Sequence, residues 1–398
     1  MARLRAPWVP LLNAVAAPVV RIRSTAAFVA GIESRSVARI GIREPVDDAY
    51  RVETAVLVDA FRAVDSLSPL GVLGLRDELT RRWATRLWIN RFLLRHPEVG
   101  AEPVTAPIVV LGLPRTGTTL LHRLLADRSG MRGPLLWELL APRPASDPDG
   151  DAARRRQAAE RMTRLARRAA PAMQVSHDLA ADRPEENLFA LPHHLAWYTR
   201  APLPGYRKWY VERDATPDYA YLRQQLQVMQ WGEPPRRWVL KTPIHLWKMD
   251  ALLAVFPDAT IVWTHRDPAR VVPSWCSLTE SVRLLNLTRV DPAGLGPEYC
   301  EFWSDAIRRA LAVRAGLPPD RVVDVGYADL VADPDRVVTR VLTAAGAPAT
   351  ATAAPRPAPE PTRLVHHYRG DRFGLTEAGV REAFAPYLAT HPQTLRTG

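Results

Sequence analysis

Residues 107–125 read PIVVLGLPRTGTTLLHRLL and constrain the chain more than any other stretch. Ile108 to Leu111 is an unbroken run of β-branched and apolar side chains, the pattern of a buried strand. Gly112-Leu113-Pro114-Arg115-Thr116-Gly117 ends that run. Thr118 to Leu125 then spaces Leu120, Leu121, Leu124 and Leu125 along one side of a helix. Strand, glycine loop and helix together aim backbone N–H groups and a helix N-terminus at an anion such as phosphate.

Gly112, four residues, Gly117 and two more form the frame of G-x-x-x-x-G-K-[ST]. Thr118 stands where that frame has its lysine, and Thr119 fills the last position. The lysine of the standard frame reaches the β- and γ-phosphates of a triphosphate. A loop without it can hold an oxyanion but is poorly equipped for a triphosphate, and Arg115 can supply the missing charge. A plain glycine turn between a core strand and a core helix is the competing reading. Glycine spacing, apolar strand and Thr-rich helix start weigh jointly against it.

The rest of the chain extends the pattern. Arg237–Leu240, Thr260–Trp263 and Arg321–Val325 read as short strands, and 218–231, 244–256, 269–283 and 333–346 read as helices. Strands alternating with helices imply a parallel sheet with right-handed crossovers. The fold class expected is α/β: a P-loop-type parallel sheet flanked by helices, with an N-terminal helical extension. Ligands in such sheets sit at the carboxyl ends of the strands. Lys241, Arg266 and the loop around Arg115 all fall there.

Four segments are expected. Residues 1–100 form a helical N-terminal subdomain, with apolar periodicity over 47–67 and 75–99, and residues 101–346 form the core. Residues 347–362 are a Pro/Ala-rich linker, and 363–398 are a C-terminal segment that ends in a helix at 376–388. At 398 residues, one large α/β domain or two smaller ones are both allowed.

Net charge is +11, carried by 53 basic residues of which only Lys208, Lys241 and Lys248 are lysines. The charge is spread along the chain, so it argues for a small anionic ligand over nucleic acid. In a chain that otherwise uses arginine, each lysine marks a place where a compact ammonium is wanted. Cys276 and Cys300 sit in no metal or redox spacing and read as buried thiols in a reduced compartment. No metal-ligand spacing stands out, His193 and His194 included. No apolar run is long enough to span a membrane. The apolar stretch near the N-terminus and the arginines from Arg154 to Arg168 leave open a peripheral membrane contact. A solvated face is the plainer reading of that helix.

Taken together, the motifs resemble those of sulfotransferases that use 3′-phosphoadenosine 5′-phosphosulfate (PAPS), in the bacterial branch related to tyrosylprotein sulfotransferases. Leu113 to Thr119 matches the family's 5′-phosphosulfate loop, and Arg266 with Ser274 matches its 3′-phosphate site. Leu240-Lys241-Thr242-Pro243 resembles the segment carrying a sulfuryl-facing lysine. Val325 to Leu330 resembles the stretch whose tyrosine, here Tyr327, lies near the adenine. The resemblance implies that Arg115, Thr116, Gly117, Thr118, Thr119, Arg266, Ser274, Tyr327 and Arg369 bind PAPS. Arg369-Gly370 is a partial substitute for the family's C-terminal Arg-Lys-Gly triplet, which is absent.

The activity implied is sulfuryl transfer from PAPS to a hydroxyl acceptor, in line and without a metal. Arg115 and Lys241 would neutralise developing charge. A base must take the acceptor proton. Glu138 and His177 stand 23 and 62 residues past Arg115, where two branches of the family place theirs, and Glu138 is preferred. Its position in an apolar run suits either a base or the partner of an arginine. Glu185 and Glu186, after Pro184, read as an ordinary helix start. The acceptor expected is a small molecule, or a lipid or glycan hydroxyl. The location expected is the cytoplasm, with contact to the inner membrane face left open. The alternatives are a P-loop small-molecule kinase and a non-catalytic membrane-surface nucleotide-binding protein.

Overall fold

Four apolar runs become neighbouring parallel strands, because only side-by-side pairing satisfies their backbone groups inside a core. The structure is a computed structural model and describes residues 5–17, 19–42, 47–144, 152–171, 179–348 and 370–392. Helices α1 (Trp8–Ala16), α2 (Thr25–Ile40), α3 (Asp48–Arg62) and α4 (Pro69–Arg95) precede strand β1 (Ile108–Gly112). Helix α5 (Thr118–Ala126), strand β2 (Met131–Arg132) and helices α6 (Leu136–Leu140), α7 (Ala152–Ala169), α8 (Pro204–Glu212) and α9 (Thr216–Gln230) follow. Then come β3 (Arg237–Lys241), α10 (Met249–Val255), β4 (Thr260–His265), α11 (Pro268–Asn286), α12 (Pro292–Arg314) and β5 (Val322–Gly326). Helices α13 (Tyr327–Ala332), α14 (Pro334–Ala344), α15 (Glu377–Ala383) and α16 (Ala385–Thr390) complete the described chain.

The strand order is β2-β3-β1-β4-β5, and every pairing is parallel. The expected α/β fold with a helical N-terminal extension is therefore the observed one. Alternation along β1 divides the core in two. Ile108 and Val110 pack with Leu121 and Leu125 of α5 and Val338 and Val341 of α14. Val109 and Leu111 face a larger cluster that includes Trp263, Trp303, Leu222 and Phe61. That cluster also takes in Leu75, Trp83 and Leu87 of α4, so the N-terminal helices share a core with the sheet.

Several boundaries differ from the sequence reading for identifiable reasons. Residues 244–256 split into a 3-10 turn over Pro243–Trp247 and the short α10. The C-terminal helix breaks at Phe384, just before Pro386. Helix α12 went unread because Pro292, Gly294, Gly296 and Pro297 obscure its first turns. Leu120, expected on the apolar side of α5, is exposed. His177, Arg369 and nearly all of the 347–362 linker lie outside the described residues.

Candidate active site

Register brings the site together at one edge of the sheet. Val110 of β1 is level with Lys241 of β3, Gly112 with Thr264 of β4, and His265 with Gly326 of β5. The loops after β1, β3, β4 and β5 therefore leave from the same side.

Gly112 has φ +143°, and a Cβ there would lie 2.4 Å from the Thr264 carbonyl. Its lack of a side chain lets the loop start directly against β4. Arg115 and Gly117 both have positive φ, +67° and +86°. This backbone turns successive N–H groups toward one point, the geometry of an anion nest at the start of α5. The Thr116 hydroxyl faces inward instead, 2.6 Å from the Leu113 carbonyl and 2.6 Å from the Thr264 hydroxyl. Its side chain braces the loop, so what it offers a ligand is its backbone N–H.

Arg266 leaves the end of β4 and donates from Nη1 to the Arg115 carbonyl, 3.0 Å away. Its guanidinium lies 4.0 Å from the centre of the Tyr327 ring. Burial, the largest influence on it, pushes its pKa below the usual arginine range. Arg115 Nε donates to Ser274 Oγ on α11 at 3.2 Å. Tyr327 and Leu330 press on Gly117, where a Cβ would meet Leu330 at 2.8 Å. Arg115, Gly117, Arg266, Ser274 and Tyr327 thus form one cationic, aromatic-walled corner.

Lys241 forms a second cluster beside it. Its side chain is fully buried, and Nζ donates to Glu186 Oε1 at 2.8 Å and to Thr119 Oγ1 at 3.3 Å, with Glu185 Oε1 3.8 Å away. Opposite charge offsets the cost of burying the ammonium. Thr242 Oγ1 donates to Glu186 Oε2 at 2.9 Å, which fixes the carboxylate plane. The Lys241 N–H donates to Asn187 Oδ1 at 3.0 Å. Glu185 and Glu186 lead into a single 3-10 turn over Asn187–Phe189, with Glu186 at its N-cap, so the helix start expected there is reduced to that one turn. Pro184 bridges to Leu135 in antiparallel fashion, and the Glu185 N–H donates to the Pro134 carbonyl at 3.0 Å. The only sequence signal for Glu186 was a pair of acids beside proline, which is equally a helix-start pattern. The other lysines differ: Lys248 donates to the Val211 carbonyl at 2.9 Å, and Lys208 is exposed.

Glu138 is partnered by an arginine, one of the two roles its position allowed. Arg132 Nη2 donates to Glu138 Oε1 at 2.7 Å, and the Leu135 N–H donates to Oε2 at 2.8 Å. The carboxylate caps its own short helix α6. Tyr50, Arg81, Arg82, Leu139, Tyr221 and Gln225 line a small recess with room for about one water.

Two groups of His and acidic side chains bring ligand atoms within 4.8 Å of one another among the described residues: His265 with Asp324 and His391, and Glu53 with His193 and Asp218. Each carboxylate is already held by a guanidinium. Arg314 Nη2 lies 2.6 Å from Asp324, and Arg213 pairs with both Glu53 and Asp218. They read as buried ion-pair networks.

Residues 107–351 match the model of the Sulfotransferase family. The chain belongs to the sulfotransferase family. It is similar to sulfotransferase STF1 from Mycobacterium tuberculosis, at 30% identity and TM-score 0.77, over 89% of this chain and 98% of that one. Sulfotransferase STF9 from Mycobacterium avium gives 29% identity and TM-score 0.79, over 90% and 95%. The omega-hydroxy-beta-dihydromenaquinone-9 sulfotransferase Stf3 of Mycobacterium bovis is 28% identical over 266 residues, 62% of this chain and 64% of the relative. The same figures hold for the Mycobacterium tuberculosis protein of that name. The chain thus spans just under two thirds of the length of these curated relatives.

Proposed function

We propose that this sulfotransferase-family chain moves a sulfuryl group from PAPS to a hydroxyl acceptor. The observation that carries the reading is the corner built by Arg115, Arg266, Ser274 and Tyr327 around a loop whose lysine position holds Thr118. Such a corner suits a nucleotide with one 5′-anion and a separate 3′-phosphate. It offers no lysine for a β,γ-phosphate pair. Arg266 and Ser274 would hold the 3′-phosphate, Tyr327 the base, and the N–H groups from Thr116 to Thr119 the 5′-phosphosulfate. Arg369 would join Arg266 and Ser274 at the 3′-phosphate.

PAPS, when bound, supplies the sulfuryl group and a phosphate leaving group, the S–O bond to that phosphate breaking as the acceptor oxygen bonds to sulfur. Arg115 and Lys241 stabilise the charge that builds on the sulfuryl and leaving oxygens. For the proton acceptor we propose Glu186 in place of Glu138. Both carboxylates are held at two oxygens, Glu186 by Lys241 and Thr242 and Glu138 by Arg132 and the Leu135 N–H, and the choice rests on Glu186 lying against Lys241, the residue proposed to face the sulfuryl group. Glu186 takes the acceptor's proton while Lys241 follows the departing oxygen.

For the acceptor we propose an apolar, lipid-like alcohol, and for the location the cytoplasm beside the inner face of a membrane. The named substrate of Stf3 is a menaquinone derivative. A screen for transfer of labelled sulfate from PAPS across lipid, glycan and phenol fractions tests this. Label should enter the lipid fraction. Label confined to phenols or glycans would refute the acceptor class, and no transfer to any fraction would refute the activity.

A further inference from the structure

Helix α1 is held down by two residues. Val9 is fully buried among Ala6, Ala169, Leu70 and Leu285, and Asn13 Oδ1 accepts the Leu70 N–H at 2.9 Å. These fix the rotation of the helix, and the opposite side then faces solvent. Trp8, Leu11, Leu12 and Val15 of α1, and Val19 just beyond its end, are all exposed, Leu11 by 68%, Val15 by 75% and Val19 by 77%. Five large exposed apolar side chains within one short stretch are not the usual surface of a chain that has buried its core.

The charge around this stretch is one-sided. The first acidic residue of the sequence is Glu33, whereas Arg21 and Arg23 follow the stretch directly. The Ala6 N–H donates to the Ala169 carbonyl at 2.9 Å, which joins the start of α1 to the end of α7. Helix α7 has seven arginines against one acid, Glu160. It exposes Arg161, Arg164 and Arg168 together with Leu165. A second copy of this surface would bring arginines against arginines, which disfavours self-association through it. An apolar stretch bordered by arginines complements an anionic lipid surface, with apolar side chains below the headgroups and guanidinium groups among the phosphates.

Position supports the same partner. The inner side of α7 packs through Ala159 on Trp137 and Leu140 of α6 and on Ala181. Five residues beyond Ala181 is Glu186, which holds Lys241. The basic, apolar surface therefore borders the segment that enters the active site.

We propose that the exposed face of α1 and the arginines of α7 form a docking surface for an anionic lipid bilayer. The inference stands apart from the sulfuryl-transfer reading, because docking and nucleotide binding are measured separately. The full chain is sedimented with vesicles of phosphatidylcholine alone or mixed with phosphatidylglycerol. Binding of adenosine 3′,5′-bisphosphate and the melting temperature are followed in parallel. The wild-type chain should pellet only with the anionic vesicles and be released by high salt. Leu11→Glu with Val15→Glu should weaken pelleting by about tenfold or more. Arg161→Gln with Arg168→Gln should weaken it by about 25-fold, since each arginine near an anionic surface contributes about fivefold. Both variants alter exposed side chains and should melt and bind nucleotide like wild type. Three results would overturn the proposal: no pelleting of wild type with anionic vesicles, pelleting unchanged by the Leu11/Val15 pair, or a wild-type dimer that this pair dissociates.

Discussion

Replacing Glu186 by glutamine separates the proposed proton acceptor from a merely structural acid. In the structure Glu186 Oε1 lies 2.8 Å from Lys241 Nζ and Oε2 lies 2.9 Å from the Thr242 hydroxyl. Glutamine keeps the size and one accepting oxygen but loses the charge, leaving Lys241 with Glu185 at 3.8 Å. A charged hydrogen bond contributes about 1.5–3 kcal/mol, so the variant should be less stable by that order and still fold. Loss of a general base costs about 10²–10⁴ in rate. Single-turnover sulfate transfer with saturating PAPS should therefore fall by that factor while PAPS affinity changes far less. Glu186→Asp should recover part of the rate. The control is Glu138→Gln, which uncouples a buried ion pair with Arg132 and should cost about 3–5 kcal/mol of stability while turnover per folded molecule is largely kept. A Glu186→Gln enzyme with near wild-type kcat, or a folded but inactive Glu138→Gln enzyme, would refute the assignment.

Three further outcomes follow from the same geometry. Arg266→Ala should weaken PAPS binding by about 1.5–3 kcal/mol more than adenosine 5′-phosphosulfate binding. Both ligands should lose some affinity because Arg266 also holds the Arg115 carbonyl, and equal losses by calorimetry would contradict a 3′-phosphate role. Lys241→Arg should fold at a cost of about 1–3 kcal/mol for overpacking and lose about 10²–10³ in kcat, since a planar guanidinium cannot replace the ammonium. Stability should fall on acidification below pH 6.5. Burial lowers His122 and His245 from 6.5 to about 3, so between those values the unfolded chain binds protons that the folded chain does not. Each histidine then costs about 2 kcal/mol at pH 5. Chemical denaturation across pH 5–7 checks it, and a flat profile would contradict the burial of neutral imidazoles.

The sheet was legible because local and long-range requirements agreed. Ile108–Leu111, Thr260–Trp263 and the runs before Lys241 and Gly326 are apolar enough to be strands only if covered, and helices lie between them to cover them. Sheet order was not legible, since the two-residue strand β2 pairs with β3 across a hundred residues of chain and carries no pattern of its own. At the site, loop spacing and strand ends pointed to Arg115, Lys241 and Arg266, which do leave from one edge. Side-chain direction was beyond reach. Nothing in the sequence tells that the Thr116 hydroxyl turns to Thr264, or that Glu138 meets Arg132 while Glu186 meets Lys241. The acidic segment is held beside α6 by the Leu135–Pro184 bridge and by the Leu136 and Glu185 N–H groups, which donate to the Arg183 and Pro134 carbonyls, long-range pairings that carry no sequence pattern. Helix α12 hid behind prolines and glycines at its start and is set by packing of Trp303 and Phe302 in the core.

The central claim is that this corner binds a nucleotide carrying a 3′-phosphate. The most direct measurement is the melting temperature of the full chain with adenosine 3′,5′-bisphosphate, with and without EDTA, against ATP with Mg²⁺. At about a hundred times its Kd the bisphosphate should add roughly 2.7 kcal/mol of stability, and EDTA should leave the shift unchanged. A shift with ATP and Mg²⁺ alone, abolished by EDTA, would contradict the account.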